Sequence, residues 1–176
     1  MSKVLEFYSG NGTDAVGRYL DEILAWDDEK LEDVHDYIQW LFPTTVPSNY
    51  HRNAPVLTDE EVAVFRNDVR LKERVKTSFV RFLRFLGLAL AGDGCVIDAD
   101  GLDDRRSEIW VYENHNWLRV SRVLSCLQTL GLESEAQALF RCLEAAYNQG
   151  RIGSGDGNSQ IEAKASFAQW KKSAQP

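Results

Sequence analysis

Apolar residues recur at helical spacing along most of the chain. Val16, Tyr19, Leu20, Ile23 and Leu24 fall on one face of a helix predicted from an N-cap at Thr13 to about Trp26. Asp27-Asp28-Glu29 then opens a second helix, its acids suited to the positive end of the helix dipole. Leu31, Val34, Ile38 and Leu41 follow at helical spacing, and Pro43 and Pro47 end the run. An irregular connection over 43–57 leads to Thr58-Asp59-Glu60-Glu61, a capping box in front of Val62 and Phe65. A long helix is predicted from Val69 to Leu90. Leu71, Val75, Phe79, Phe82, Leu86 and Leu90 line one side, and Val80, Leu83 and Phe85 widen the apolar surface to that of a central, buried helix.

Gly92-Asp93-Gly94 breaks that helix, and residues 95–113 carry the weakest pattern; Ile109 to Tyr112 reads as a short strand without a partner. Trp117, Val120, Leu124 and Leu127 define a helix over 116–130, stopped by Gly131. Another helix spans 134–147, with Gly150 as its stop. Gly153-Ser154-Gly155-Asp156-Gly157 is a flexible linker, and Ser159 to Glu162 is a second capping box opening a last helix with Phe167 and Trp170. The expected fold is all-α, a bundle of roughly seven or eight helices. Its expected organisation is a domain over 1–150, a linker over 151–158 and a C-terminal helix over 159–176, docked on its own domain or on a neighbour.

Composition narrows the class. The 176 residues are 44% hydrophobic and 27% charged, which suits a globular domain and excludes a disordered or fibrous chain. The net charge of −7 hides a division: residues 1–64 hold 13 acids against 4 bases, and the remainder holds 14 against 16. Seven of those bases lie between Arg66 and Arg84. Such a stripe fits either phosphates and an acidic partner or the chain's own acidic first third. Overall acidity, and the want of an aromatic–basic RNA-binding motif, favour the second, so nucleic acid is not the expected partner. Cys95, Cys126 and Cys142 form no disulfide framework or zinc knuckle and fit a reducing compartment. The N-terminus has no apolar core of signal-peptide length, and the Phe79–Ala91 stretch is interrupted by Arg81 and Arg84, short of the ~20 residues that span a bilayer. A cytoplasmic protein is expected.

No glycine-rich nucleotide loop, HExxH run, nucleophile elbow or EF-hand loop occurs, so no catalytic residue, metal ligand or cofactor is assigned. One constellation remains. His115, Arg119, Arg122 and Cys126 share a stripe of one helix, and His35 and Gln39 share a face of another. With Asn116 they would meet in a polar pocket walled by Tyr37, Trp40 and Trp117 if those helices pack together. Three readings stay open. The polar groups are satisfied by backbone ends and by acids such as Asp36; or they recognise a peptide or small anionic ligand; or they form a metal or acid–base centre. Cys126, mid-helix among apolar residues, reads as buried and inert.

The run His35-Asp36-Tyr37-Ile38-Gln39-Trp40-Leu41-Phe42-Pro43 resembles the signature of the opioid growth factor receptor conserved domain. Asn49-Tyr50-His51, Leu57-Thr58 with Glu61-Val62 and Phe65, His115-Asn116 with Leu118-Arg119 and Arg122, and Leu130-Gly131-Leu132-Glu133 resemble further blocks of that family, in order. The resemblance covers at least residues 26–145, and Phe7-Tyr8 and Trp26-Asp27-Asp28 are similar to its short, stand-alone microbial members. It implies an all-helical domain, which in the animal receptor is associated with an enkephalin-type pentapeptide and with growth inhibition at the nucleus. The chain departs from the animal protein: without its repeat extension and its lysine/arginine nuclear-targeting run it reads as the bare domain, and the resemblance brings no catalytic residue. The expected function is a soluble binding module for a peptide or small molecule, using His35, Tyr37, Gln39, Trp40, His115, Asn116, Trp117, Arg119 and Arg122. The alternatives are an enzyme built on His35 and His115 and an interaction module built on the Arg66–Arg84 stripe.

Overall fold

The computed structural model describes residues 2–101 and 103–175. Ten helices and one hairpin occur among them: α1 Lys3–Ser9, α2 Leu20–Leu24, α3 Asp28–Asp33, α4 Ile38–Leu41, α5 Asp59–Asn67, α6 Val69–Phe85, β1 Leu88–Leu90, β2 Val96–Asp98, α7 Asp103–Trp110, α8 His115–Thr129, α9 Glu133–Asn148 and α10 Gly157–Ser173. The fold is all-α, as expected. The chain divides into two units, one of residues 1–81 and 129–131, the other of residues 82–128 and 132–176.

In the first unit, Ser2 caps α1 by accepting from the Leu5 N–H, and Val4, Phe7 and Tyr8 turn inward at helical spacing. This helix is absent from the sequence-based expectation. The helix expected from Thr13 begins only at Leu20, because Asp14 organises the preceding residues as a loop. Its buried carboxylate accepts from the Val16 and Arg18 N–H groups and from Arg18 Nε, at 3.0, 2.9 and 2.6 Å. An aspartate that satisfies nearby backbone donors competes with helix in this way.

The helix expected from Asp27 to Leu41 is two helices. Val34 is extended (φ −90°, ψ 128°), and the break is held from both sides. Tyr37 donates its hydroxyl to the Leu31 carbonyl, one of the acceptors left over at the end of α3, and Arg18 Nη2 donates to Asp36 at 2.8 Å. Consequently His35 and Gln39 do not share a helix face. Past the break, Trp40 meets Phe7 edge-on, Phe7 meets Tyr8, and Tyr8 meets Phe65, with centroids 5.2–5.6 Å apart. The Tyr8 hydroxyl donates to the Leu41 carbonyl, so the phenol of this aromatic cluster is satisfied.

The capping box at α5 forms as expected: Thr58 Oγ1 accepts from the Glu61 N–H, and Glu61 accepts from the Thr58 N–H. The basic stripe meets the acidic first third. Arg74 pairs with Asp21 and Arg81 with Asp28, both at 2.8 Å, and Arg81 Nη2 also donates to the Trp26 carbonyl.

In the second unit, α6 ends at Phe85, five residues earlier than its apolar pattern suggests. Gly87, at φ +76°, takes a left-handed conformation, and the following Leu88–Leu90 forms β1 instead of helix. β1 pairs antiparallel with β2, Leu88 opposite Asp98 and Leu90 opposite Val96. The turn between them uses Asp93, whose carboxylate accepts from the Cys95 N–H at 2.9 Å. That bond holds the Asp93 carboxyl below the usual carboxylate range.

Ile109 and Trp110, read from sequence as strand, close α7. Both are buried there, and Trp110 Nε1 donates to the Leu86 carbonyl at 3.2 Å. Burial and one indole bond outweigh β-propensity at an isolated apolar pair. The C-terminal helix α10 packs on its own unit. Its cap is Asp156, three residues before the serine chosen from sequence, and Ser159 supplies the N–H that Asp156 accepts. Phe167 stacks on Tyr147 at 4.3 Å and on Phe140 at 5.7 Å. Trp170 is fully buried, edge-on to Trp110 and Trp117, and donates Nε1 to the Trp117 carbonyl at 2.9 Å. The Gly153–Gly155 segment in front of α10 is tied down by backbone bonds from Gly153 N–H to the Trp110 carbonyl and from Gly155 N–H to the Val111 carbonyl.

Candidate functional site

The nine residues singled out from sequence divide between the two units: His35, Tyr37, Gln39 and Trp40 lie in the first, and His115, Asn116, Trp117, Arg119 and Arg122 in the second. His35 is exposed in the extended break after α3. Tyr37, Gln39 and Trp40 are buried, Tyr37 against Trp26 and Trp40 against Phe7. His115 begins α8 and is half-buried. Asn116 and Arg119 are buried one turn apart, and Arg119 Nη1 donates to Asn116 Oδ1 at 3.0 Å. The Arg119 guanidinium also lies over the Phe85 ring, 5.9 Å from its centroid. Trp117 Nε1 donates to the Ile109 carbonyl at 2.8 Å. Arg122 is half-buried, and desolvation pulls its guanidinium below the ordinary arginine range. Cys126 is fully buried, which pushes its thiol up and leaves it a poor nucleophile.

A cavity of about 500 Å³ lies within the second unit. Leu88, Trp110, Val111, Leu143, Ala146 and Ile152 give it apolar walls. Its polar lining comes from Asp98, Ser107, Cys142, Arg151 and Ser154. Arg151 Nη1 bonds both oxygens of Asp98, at 3.1 and 3.4 Å, and Arg151 Nε donates to Gln149 Oε1 at 3.0 Å. Both partners of this ion pair are 43% exposed, which sets it at the open side of the cavity. Arg151 Nη2 makes no hydrogen bond among the described residues.

None of the nine sequence-derived residues lines this cavity. Its walls come from β1, β2, α7, α9 and the segment after α9, so residues more than fifty positions apart meet there. The hydrophobic period, which finds helices, does not signal such a convergence. One sign was available: Arg151 is a charged residue placed between the stop of a helix and a glycine-rich stretch. Among the described residues no group of three or more His, Cys, Asp or Glu side chains is placed to hold a metal ion.

Cys142 reports on the cavity. Burial, and then the nearby Asp98 carboxylate, push its thiol up to about 11, against a smaller opposing pull from Arg151. Alkylation by iodoacetamide requires thiolate. In a Cys95→Ser variant, which removes the exposed thiol, the Cys142 rate is therefore expected to rise roughly tenfold per pH unit across pH 7–10. A rate that levels off near pH 8.5 would contradict the buried, acid-flanked setting. The same shift lowers folding stability above pH ~8.5, where the unfolded thiol ionises and the native one does not.

Among the described residues no helix is long and apolar enough to cross a membrane. A family model described as the opioid growth factor receptor (OGFr) conserved region matches residues 2–150. The chain belongs to this family.

The family match includes the His35–Pro43 run and every element through α9. The opioid growth factor receptor of Homo sapiens is 38% identical over 131 residues, which are 71% of this chain and 19% of that protein. The opioid growth factor receptor-like protein 1 of Mus musculus is 34% identical over 129 residues, 71% of this chain and 27% of that protein. The match thus spans between 19% and 27% of the length of these two curated relatives. No solved structure matches the chain.

Proposed function

We propose that the chain is a cytoplasmic binding module that encloses part of a short peptide or a small organic molecule in the cavity of its second unit. The observation that carries this reading is the cavity itself: about 500 Å³, with apolar walls and one ion pair at its open side. Ligand sites are commonly concave, mostly apolar and furnished with a few oriented polar groups. Relatives named opioid growth factor receptor supply the second support, because that name describes a protein that binds something. The three free thiols suit a reducing compartment. We assign the ligand to this cavity ahead of the His35/His115 set, since Tyr37 and Trp40 fill an aromatic cluster and Arg119 is engaged with Asn116.

The test is a ¹H–¹⁵N NMR titration with an enkephalin-type pentapeptide and a small-fragment mixture. Saturable shifts are expected at the Trp110 indole N–H, Arg151 Nε–H and Ile152. Ala146→Leu, which fills the cavity from α9, is expected to weaken binding about tenfold or more through lost room and unfavourable packing. Shifts confined to His35–Trp40 or His115–Arg122, unaffected by Ala146→Leu, would move the site elsewhere. No saturable shift with any probe would overturn the reading.

A further inference from the structure

We infer that the ligand of this cavity is an apolar α-amino acid, held by its ammonium on Asp98 and its carboxylate on Arg151. The inference rests on the cavity being the ligand site and adds the class of molecule it takes.

Charge balance is the first ground. The lining carries one carboxylate and one guanidinium, already in contact at 3.1 Å. A ligand with a single charge meets one attractive and one repulsive partner at nearly the same distance, so the two effects largely cancel. A ligand with both charges adds an ion pair to each partner beside the one already formed. The existing pair is half-exposed, and ion pairs in that setting are weakly held and easily rearranged.

Hydrogen-bonding capacity is the second. Arg151 directs Nε to Gln149 and Nη1 to Asp98, and Nη2 is left with its donors unused among the described residues. The two Asp98 oxygens accept from one nitrogen between them, so each has lone pairs to spare. The pair thus offers two donors and several acceptors side by side. Spacing is the third ground. In an α-amino acid a single carbon separates ammonium from carboxyl, which puts their heavy atoms about 3 Å apart. That matches the separation of Arg151 from Asp98. The ends of an extended peptide do not match it. The walls complete the match: Trp110, Leu143 and Ile152 present apolar surface to a large aliphatic or aromatic side chain.

The experiment compares three probes on the wild-type chain by calorimetry and by NMR shifts at cavity residues: L-phenylalanine, 2-phenylethylamine, which lacks the carboxylate, and 3-phenylpropionate, which lacks the ammonium. L-phenylalanine is expected to bind about tenfold or more tightly than either analogue, the usual effect of losing a charge-assisted hydrogen bond. Asp98→Asn is expected to abolish its advantage over 3-phenylpropionate, and Arg151→Gln its advantage over 2-phenylethylamine. The probe comparison needs no variant, so it stands even if one of them folds poorly. Equal binding of a one-charge analogue would overturn the amino-acid assignment and leave the cavity as the ligand site. Shifts with none of the three would overturn the assignment, and silence toward the pentapeptide and fragments as well would remove the cavity itself.

Discussion

Trp170→Ala is expected to remove about 3–5 kcal/mol of stability, the cost of truncating a fully buried tryptophan. The side chain is the anchor of α10. It lies edge-on to Trp110 and Trp117, and its Nε1 donates to the Trp117 carbonyl at 2.9 Å. Truncation removes those contacts and leaves a buried carbonyl without that donor, a penalty added to the lost apolar burial. Further along the helix, Ala174 accepts through its carbonyl from Gln128 and Gln137, so release of Trp170 also loosens the C-terminal end of α10. Urea denaturation followed by circular dichroism reads the effect. A loss below about 1 kcal/mol would mean that α10 contributes little to the core of its unit, contrary to the burial of Trp170.

The second large effect belongs to Gly153→Ala. Gly153 has φ +72°, where an L-residue costs about 1–2 kcal/mol. A Cβ there would also stand 2.5 Å from the Ser159 carbonyl oxygen and 2.7 Å from the Ala163 Cβ. Neither atom is the end of a flexible side chain, so the backbone must shift, and the 2.8 Å bond from Gly153 to the Trp110 carbonyl is lost or strained. Steric crowding of this kind adds about 1–3 kcal/mol. The control is Gly94→Ala. It has φ +83° and open space around its Cβ position, so it should cost only the conformational part, about 1–2 kcal/mol. Equal losses at the two sites would show that the Gly153 segment yields freely and would weaken its role as part of the cavity wall. Ile152 and Ser154, on either side of Gly153, line that wall.

The long helices were legible because their apolar residues recur every three or four positions. The spans 116–130 and 134–147 expected from sequence correspond to α8 and α9 within one or two residues. The capping box at Thr58 and the pairing of basic Arg74 and Arg81 with acids of the first third were legible on other grounds: each follows from local chemistry or charge balance. What was missed depends on distant partners. The break at Val34 is fixed by Arg18 reaching Asp36, eighteen residues away, and a window along the chain does not see it. Helix α6 stops at Phe85 because Leu88–Leu90 finds a partner strand, although its apolar pattern continues. Helix α1 was visible in principle, in Ser2 followed by Val4, Phe7 and Tyr8, but seven residues make a weak period.

The His35–Pro43 run identified the family, and most of its side chains face inward: Tyr37, Ile38, Trp40, Leu41 and Phe42 are all buried. A motif made of core residues specifies packing, and so it told the fold more than the ligand. The cavity has the opposite character. Asp98, Trp110, Cys142 and Arg151 come from four separate elements or turns, and no short run of sequence contains them.

The claim that this cavity is the ligand site has a direct measurement in Cys142, which lines it. The Cys95→Ser variant is alkylated with iodoacetamide at pH 8, with and without whichever probe, pentapeptide or L-phenylalanine, saturates the protein. A ligand seated against α9 shields the thiol, and the Cys142 rate is expected to fall about tenfold or more at saturation, in proportion to the occupied fraction. Saturating binding that leaves the Cys142 rate unchanged would place the ligand outside the cavity and contradict the account.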